Sequence, residues 1–389
     1  MKPETRGRCA KWIAWALAAL QASAFAVSVV SPGRDDEVLE VLPAITLSRP
    51  ARIISAPRIA NPQAAAIQAR KDIRVARQTG DTRYWGRAQA ELGPWWDHPD
   101  APADLAILQA TVQQGRHEFE ASRKVLTAAL ARSPGDAQGW LNLAALERLS
   151  ARYAQSLLAC DAVARAGQAL YAQACRLETQ SLQGQQAVAA QGFQSLLTQT
   201  ANDDQRSWLL SLLAESQERA GRDTAAADAY TRSLALDPDL YTSIAFSDLL
   251  LRIGKTQQAQ RILAPLPETD AVLLRRAAAW RRLGDARWTE MRSTLRERAA
   301  ELVRRGDDPT LHARELALTS LWLDDDPVAA LRLSRRNLQL QREPVDWWVA
   351  LQSARLAKDT AAMNEVTSAI DAAGLVDARL ATAQQIGSR

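Results

Sequence analysis

Beyond Ala64, large apolar residues recur four positions after an alanine, and the interval between successive occurrences is nearly constant. The pairs are Ala88/Leu92, Ala121/Val125, Ala154/Leu158, Ala189/Phe193, Ala226/Tyr230, Ala259/Leu263, Ala329/Leu333 and Ala362/Val366. Their alanines stand 33, 33, 35, 37, 33, 70 and 33 residues apart, and counting the 70 as two steps gives a mean of about 34. A spacing of four puts the small and the large residue on one helix face. Glycines keep the same phase: Gly184, Gly221 and Gly254 precede their alanine by five residues and Gly115 by six. Glycine there ends one helix and permits the left-handed turn into the next. Pro134 and Pro238 close the second helix of a pair, because proline blocks continuation. The pattern predicts about nine helix pairs. At the seventh unit the alanine is missing, Thr294 stands near its place, and the second helix is predicted to run on through Arg304.

Residues 207–240 carry Leu210-x-x-Leu213-Ala214, Gly221, Ala226-x-x-x-Tyr230 and Leu236-Asp237-Pro238 in order, and this stretch resembles one tetratricopeptide repeat. Residues 137–170 begin in the same way, with Gly139-Trp140-Leu141-Asn142-Leu143-Ala144. The resemblance extends over residues 65–370. It implies an all-α fold, an α-α superhelix in which each pair buries its apolar face on the next. It also implies binding along the concave face lined by the first helix of each pair. Helices near Ala361–Ala373 and Asp377–Gln385 are expected to cap the stack.

The chain before the repeats has a different character. Lys2, Arg6, Arg8 and Lys11 precede an apolar run from Trp12, and the small residues Ala22, Ser23, Ala24 and Ala26 follow it. This is the secretory pattern, and residues 1–26 are expected to be a cleaved signal peptide. An uncleaved membrane anchor is the alternative, weakened by Gln21, Ser23 and Ser28. Either way the bulk of the chain is expected outside the cytoplasm, periplasmic or otherwise extracytoplasmic. Residues 27–64 read as an extended arm, since Pro32, Pro43, Pro50, Pro57 and Pro62 recur too often for helix. The solenoid is assigned to residues 65–389.

Charge and composition narrow the function further. Without residues 1–26 the chain holds 44 basic and 43 acidic residues, a net charge of +1. That offers no sustained basic face, and no nucleic-acid partner is expected. Three histidines, His98, His117 and His312, lie far apart in sequence. No zinc, haem, calcium, nucleotide or hydrolase motif spacing occurs, so no metal, cofactor or enzymatic activity is expected. Asp324-Asp325-Asp326 before Pro327 reads as a helix start, and Asp203-Asp204 and Asp307-Asp308 as turn residues beside helix starts.

The expected role is that of a scaffold or adaptor binding a protein or peptide; an accessory of an envelope-assembly or secretion complex is the alternative. A membrane would be met only through the leader or such a complex. The candidate contacts are Arg275 and Arg282, seven apart on one helix face within an arginine-rich segment, and the tract Pro94-Trp95-Trp96-Asp97, which belongs to no repeat consensus. Exposed tryptophan and arginine are enriched at binding hot spots. Cys160 and Cys175 flank a predicted turn at Ala166-Gly167-Gln168 almost symmetrically, which would bring them level on antiparallel helices for a disulfide.

Overall fold

The structure, a computed structural model, describes residues 61–385 apart from Arg305 and Asp307. The leader and nearly all of the proline-rich arm fall outside the described residues. The described chain is helical with no strands, and consecutive helices pair antiparallel. The pairs are α1 (Pro62–Thr79) with α2 (Arg83–Leu92), α3 (Ala103–Gly115) with α4 (Phe119–Arg132), and α5 (Ala137–Leu149) with α6 (Tyr153–Arg165). Next come α7 (Ala169–Leu182) with α8 (Gln186–Gln199), α9 (Asp203–Arg219) with α10 (Asp223–Leu236), and α11 (Leu240–Arg252) with α12 (Thr256–Leu263). The last three are α13 (Asp270–Arg282) with α14 (Arg287–Arg304), α15 (Ala313–Trp322) with α16 (Pro327–Leu340), and α17 (Pro344–Leu356) with α18 (Thr360–Ala373). A final helix, α19 (Ala378–Gln385), lies against α17.

Each pair turns through one residue in the left-handed region. These are Gly80, His117, Ala151, Gly184, Gly221, Gly254, Gly284, Asp325 and Lys358. The glycine marker therefore holds in five pairs, while in four a residue bearing a Cβ adopts the strained conformation. Gly115 is not a turn residue: a Cβ there would meet the Trp85 ring at 2.4 Å, so its role is to let that ring approach the backbone.

Five rungs of the alanine ladder are buried as expected, at Ala88, Ala189, Ala226, Ala259 and Ala362 with their partners. Ala121 and Ala154 face solvent instead. Ser122 with Leu126, and Ser156 with Cys160, take the buried positions in those two units. Serine is tolerated there because its hydroxyl is satisfied: Ser122 Oγ donates to the Ala110 carbonyl at 2.8 Å, and Ser156 Oγ lies 3.0 Å from Thr179 Oγ1. In α16 the register shifts by one, and Ala330 is buried where Ala329 was expected.

The array curves until its end meets its middle. The Arg342 amide donates to the Leu149 carbonyl at the end of α5 (2.7 Å), and the Val376 amide to the Leu182 carbonyl at the end of α7 (2.8 Å). Gln186 Nε2 returns a bond to the Val376 carbonyl (2.9 Å), and Arg379 reaches Glu218 near the end of α9 (3.0 Å). One apolar cluster joins Tyr153 and Leu182 to Trp347, Leu351, Ile370 and Leu380. The segment from Arg342 to α19 thus crosses the ends of three first helices.

Candidate binding groove

Four consecutive first helices, α5, α7, α9 and α11, together line a cavity of about 550 Å³. Gln138, Leu141 and Arg148 come from α5, and Tyr171 and Glu178 from α7. The long helix α9 contributes Asp204, Ser207, Trp208, Ser211, Leu212 and Glu215, each on the face that its helical spacing of three and four selects. Tyr241 and Thr242 open α11, preceded by Asp237 and the N-cap Asp239, whose carboxylate accepts the Thr242 amide at 3.0 Å.

The charges in this groove are mostly negative. Its one basic lining residue, Arg148, is already engaged with Glu178 at 2.7 Å. Glu215 accepts from Tyr241 Oη at 2.8 Å and from Arg219 at 3.3 Å, and burial raises its carboxyl above the usual range. The Glu215 carboxylate in turn pushes the Tyr241 phenol well above its ordinary value. Asp237 is raised too, by desolvation first and then by the neighbouring Asp239 and Asp204 carboxylates. The Trp208 ring lies 5.5 Å from that of Tyr171 at a 40° tilt, an aromatic wall beside these acids. Tyr241 is 62% exposed, so the groove opens to solvent.

The residues singled out from sequence lie elsewhere. Arg275 is 4% exposed, and its guanidinium meets the Asp248 carboxylate twice, at 2.8 and 2.7 Å, with a third bond to the Ala271 carbonyl. This corrects its assignment as a docking cation: α13 is buried from Val272 to Ala279, packed between α11 and α15. Arg282 is exposed, yet it donates to the Leu251 carbonyl at the end of α11. Their neighbours are tied down as well, Arg276 to the carbonyls of Leu263, Ala264 and Leu266, and Arg281 to the Trp322 carbonyl and Asp325. The arginine-rich segment holds repeats together.

Trp95 and Trp96 are both half-buried against the apolar cluster of the first pair, with Ala66, Ala69, Ile73 and Leu92. Adjacent rings reach one cluster because the chain passes from a 3-10 turn at Trp95 to extended backbone at Trp96. They act as wedges at a junction, each with part of its ring against the cluster. Cys160 on α6 and Cys175 on α7 are brought level by the turn at Ala166–Gln168, with Cα atoms 5.6 Å apart and sulfurs at bonding distance. Among the described residues no group of histidine, cysteine and carboxylate side chains is placed to hold a metal ion, and no helix is long and apolar enough to cross a membrane.

No family model matches the chain, and no curated protein matches it. Among solved structures it is similar to a tetratricopeptide repeat protein from Parabacteroides merdae ATCC 43184, at 12% identity and a TM-score of 0.38, over 65% of this chain and 98% of that one. It is also similar to the APC/C hetero-tetramer Cut9-Hcn1, at 14% identity and a TM-score of 0.35, over 72% of this chain and 48% of that one. By its own nine helix pairs and their spacing, the described chain has the fold of a tetratricopeptide-like helical repeat array.

Proposed function

We propose that the chain is a binding scaffold that holds a protein or peptide partner in the groove of α5, α7, α9 and α11. One observation carries this: four successive first helices line one continuous cavity of about 550 Å³ with apolar, aromatic and carboxylate side chains together. Its leucines and aromatic rings offer apolar contact, its carboxylates and hydroxyls are placed polar groups that orient a ligand, and the repeats supply a rigid frame on which these are pre-organised. We place this work outside the cytoplasm. The support is the leader pattern of residues 1–26 and a cysteine pair at bonding distance, which suits an oxidising compartment.

Tyr241 in the groove and Val328 on the second helix α16 are 62% and 66% exposed, so each accepts a bulky maleimide after substitution by cysteine. The labelled Tyr241→Cys protein is expected to lose its partner from an extract of the native host, and the labelled Val328→Cys protein to keep it. Retention by both labelled proteins would sink the groove as the docking site.

A further inference from the structure

Resting on the groove as docking site, we infer that its α9–α11 end receives a cationic side chain, lysine or arginine, presented by the partner's polypeptide. Asp204 in the first turn of α9, Asp237 between α10 and α11, and Asp239 at the α11 N-cap line this one end. Asp239 has a structural task as a cap, and Asp204 complements the α9 dipole. Asp237 has the opposite placement. It is the C-cap of α10, where the helix dipole disfavours an anion, and it stands beside two further carboxylates. No cation among the described residues lining the groove offsets these three: Arg148 is bonded to Glu178, and nearby Arg206 pairs with Asp203 instead. Like charges held together without a counter-charge cost stability, and an incoming cation relieves that cost.

The second observation is the aromatic wall. Trp208 lies one helical turn beyond Asp204, on the same face of α9, and its ring adjoins Tyr171. Tyr171 is held in place by Gln205 Nε2, which donates to its hydroxyl at 3.1 Å. Carboxylates flanked by tryptophan and tyrosine faces match an ammonium or guanidinium through ion pairing and cation–π attraction together. An acidic segment is repelled by the same set. Farther along α9 the groove turns to Leu212, Leu141 and already-paired charges, which suits the apolar remainder of a peptide.

The test uses the chain without its leader and fluorescent decapeptides of alternating alanine and lysine or alternating alanine and glutamate. Anisotropy at low salt is expected to show the lysine peptide binding at least tenfold tighter than the glutamate peptide, with affinity falling as salt rises. Asp204→Asn with Asp237→Asn and Asp239→Asn should weaken the lysine peptide at least tenfold. Asparagine caps helices as well as aspartate, so α11 is preserved, and the single exposed Asp204→Lys gives a second variant with the same expected loss. A control carrying the same charge change on second helices, Asp228→Asn with Glu365→Gln and Asp371→Asn, should bind as the parent does. Equal losses in control and groove variants, or no binding of the lysine peptide, overturn the inference. So does spermidine displacing the peptide at its own molar concentration, since that would make a small polyamine the ligand. If both peptides bind equally and both are lost in Tyr241→Arg, at a groove position 62% exposed, the groove stands as docking site and the cationic assignment falls.

Discussion

Replacing Arg275 with Met should destabilise the array without touching the groove. The Arg275 side chain is 5% exposed and that of Asp248 29%, and they meet through two bonds of 2.7–2.8 Å. Removing one member of a buried pair costs about 3–5 kcal/mol, because a charge is left without its partner. Asp248 retains partial access to water, which reduces the figure to about 2–3 kcal/mol. For a chain of this size about 2 °C of melting temperature follows each kcal/mol, so the loss should be about 4–6 °C by far-ultraviolet circular dichroism. Arg275→Glu should fall further. Two carboxylates about 4 Å apart repel by about 4 kcal/mol at an effective dielectric constant near 20, before Asp248 swings away. Adding Asp248→Asn to Arg275→Met removes the orphaned charge and should recover at least half of the loss. Arg282→Met gives up a single exposed hydrogen bond and should cost below about 1 kcal/mol. The reasoning fails if Arg275→Met melts within 1 °C of the parent, or no lower than Arg282→Met.

Ala151 holds φ at 56°, and the left-handed conformation costs alanine about 1 kcal/mol relative to glycine, so Ala151→Gly should raise the melting temperature by about 2 °C in calorimetry. A decrease would contradict the strain assigned to that turn. Cys160→Ala with Cys175→Ala opens a loop of 15 residues and should cost about 3 kcal/mol, while the unreduced, denatured parent should show no free thiol at either position. Arg379→Ala leaves Glu218 with Arg252 as its remaining cation, at 3.2 Å. It also takes the guanidinium from the fully buried Asp377 carboxylate, so it should cost about 3–5 kcal/mol and speed hydrogen exchange of the Val376 amide, whose acceptor lies at the end of α7. Unchanged exchange at Val376 would mean that the closure does not depend on that ion pair.

The period of the array was legible because alanine and its large partner four residues on form the contact between helices of a pair. It blurred where chemistry permits a substitute. Ser122 and Ser156 are as small as the position requires, and a buried hydroxyl bonded to a carbonyl or another hydroxyl is no obstacle, so alanine alone does not mark these two units. His117, Ala151, Asp325 and Lys358 likewise turn the chain where the other pairs use glycine, and nothing local to them reveals it. The closure of Val376 on Leu182 and of Arg379 on Glu218 joins positions far apart in sequence, which periodicity cannot register. Arg275 shows the same limit, since its partner Asp248 sits one repeat earlier and the pairing exists only once α11 and α13 are packed. Arginine also reads identically in sequence whether its stem is solvated or its head ties carbonyls together. The groove did leave a trace: Gln138, Tyr171, Asp204 and Asp237 are spaced by 33 residues each. Superposing the repeats would have brought them to one edge, whereas Asp203-Asp204 read alone is only a helix start.

The most direct measurement is site-resolved photocrosslinking in the native host. A photoreactive phenylalanine analogue is placed singly at Gln138, Leu141 and Tyr241 in the groove, and at Leu158, Val188 and Val328, which are exposed on the second helices. The groove positions are expected to yield one common adduct of the same mass, and the second-helix positions none. Adducts confined to the second helices, or equal from both sets, would contradict the assignment of the groove as the docking site.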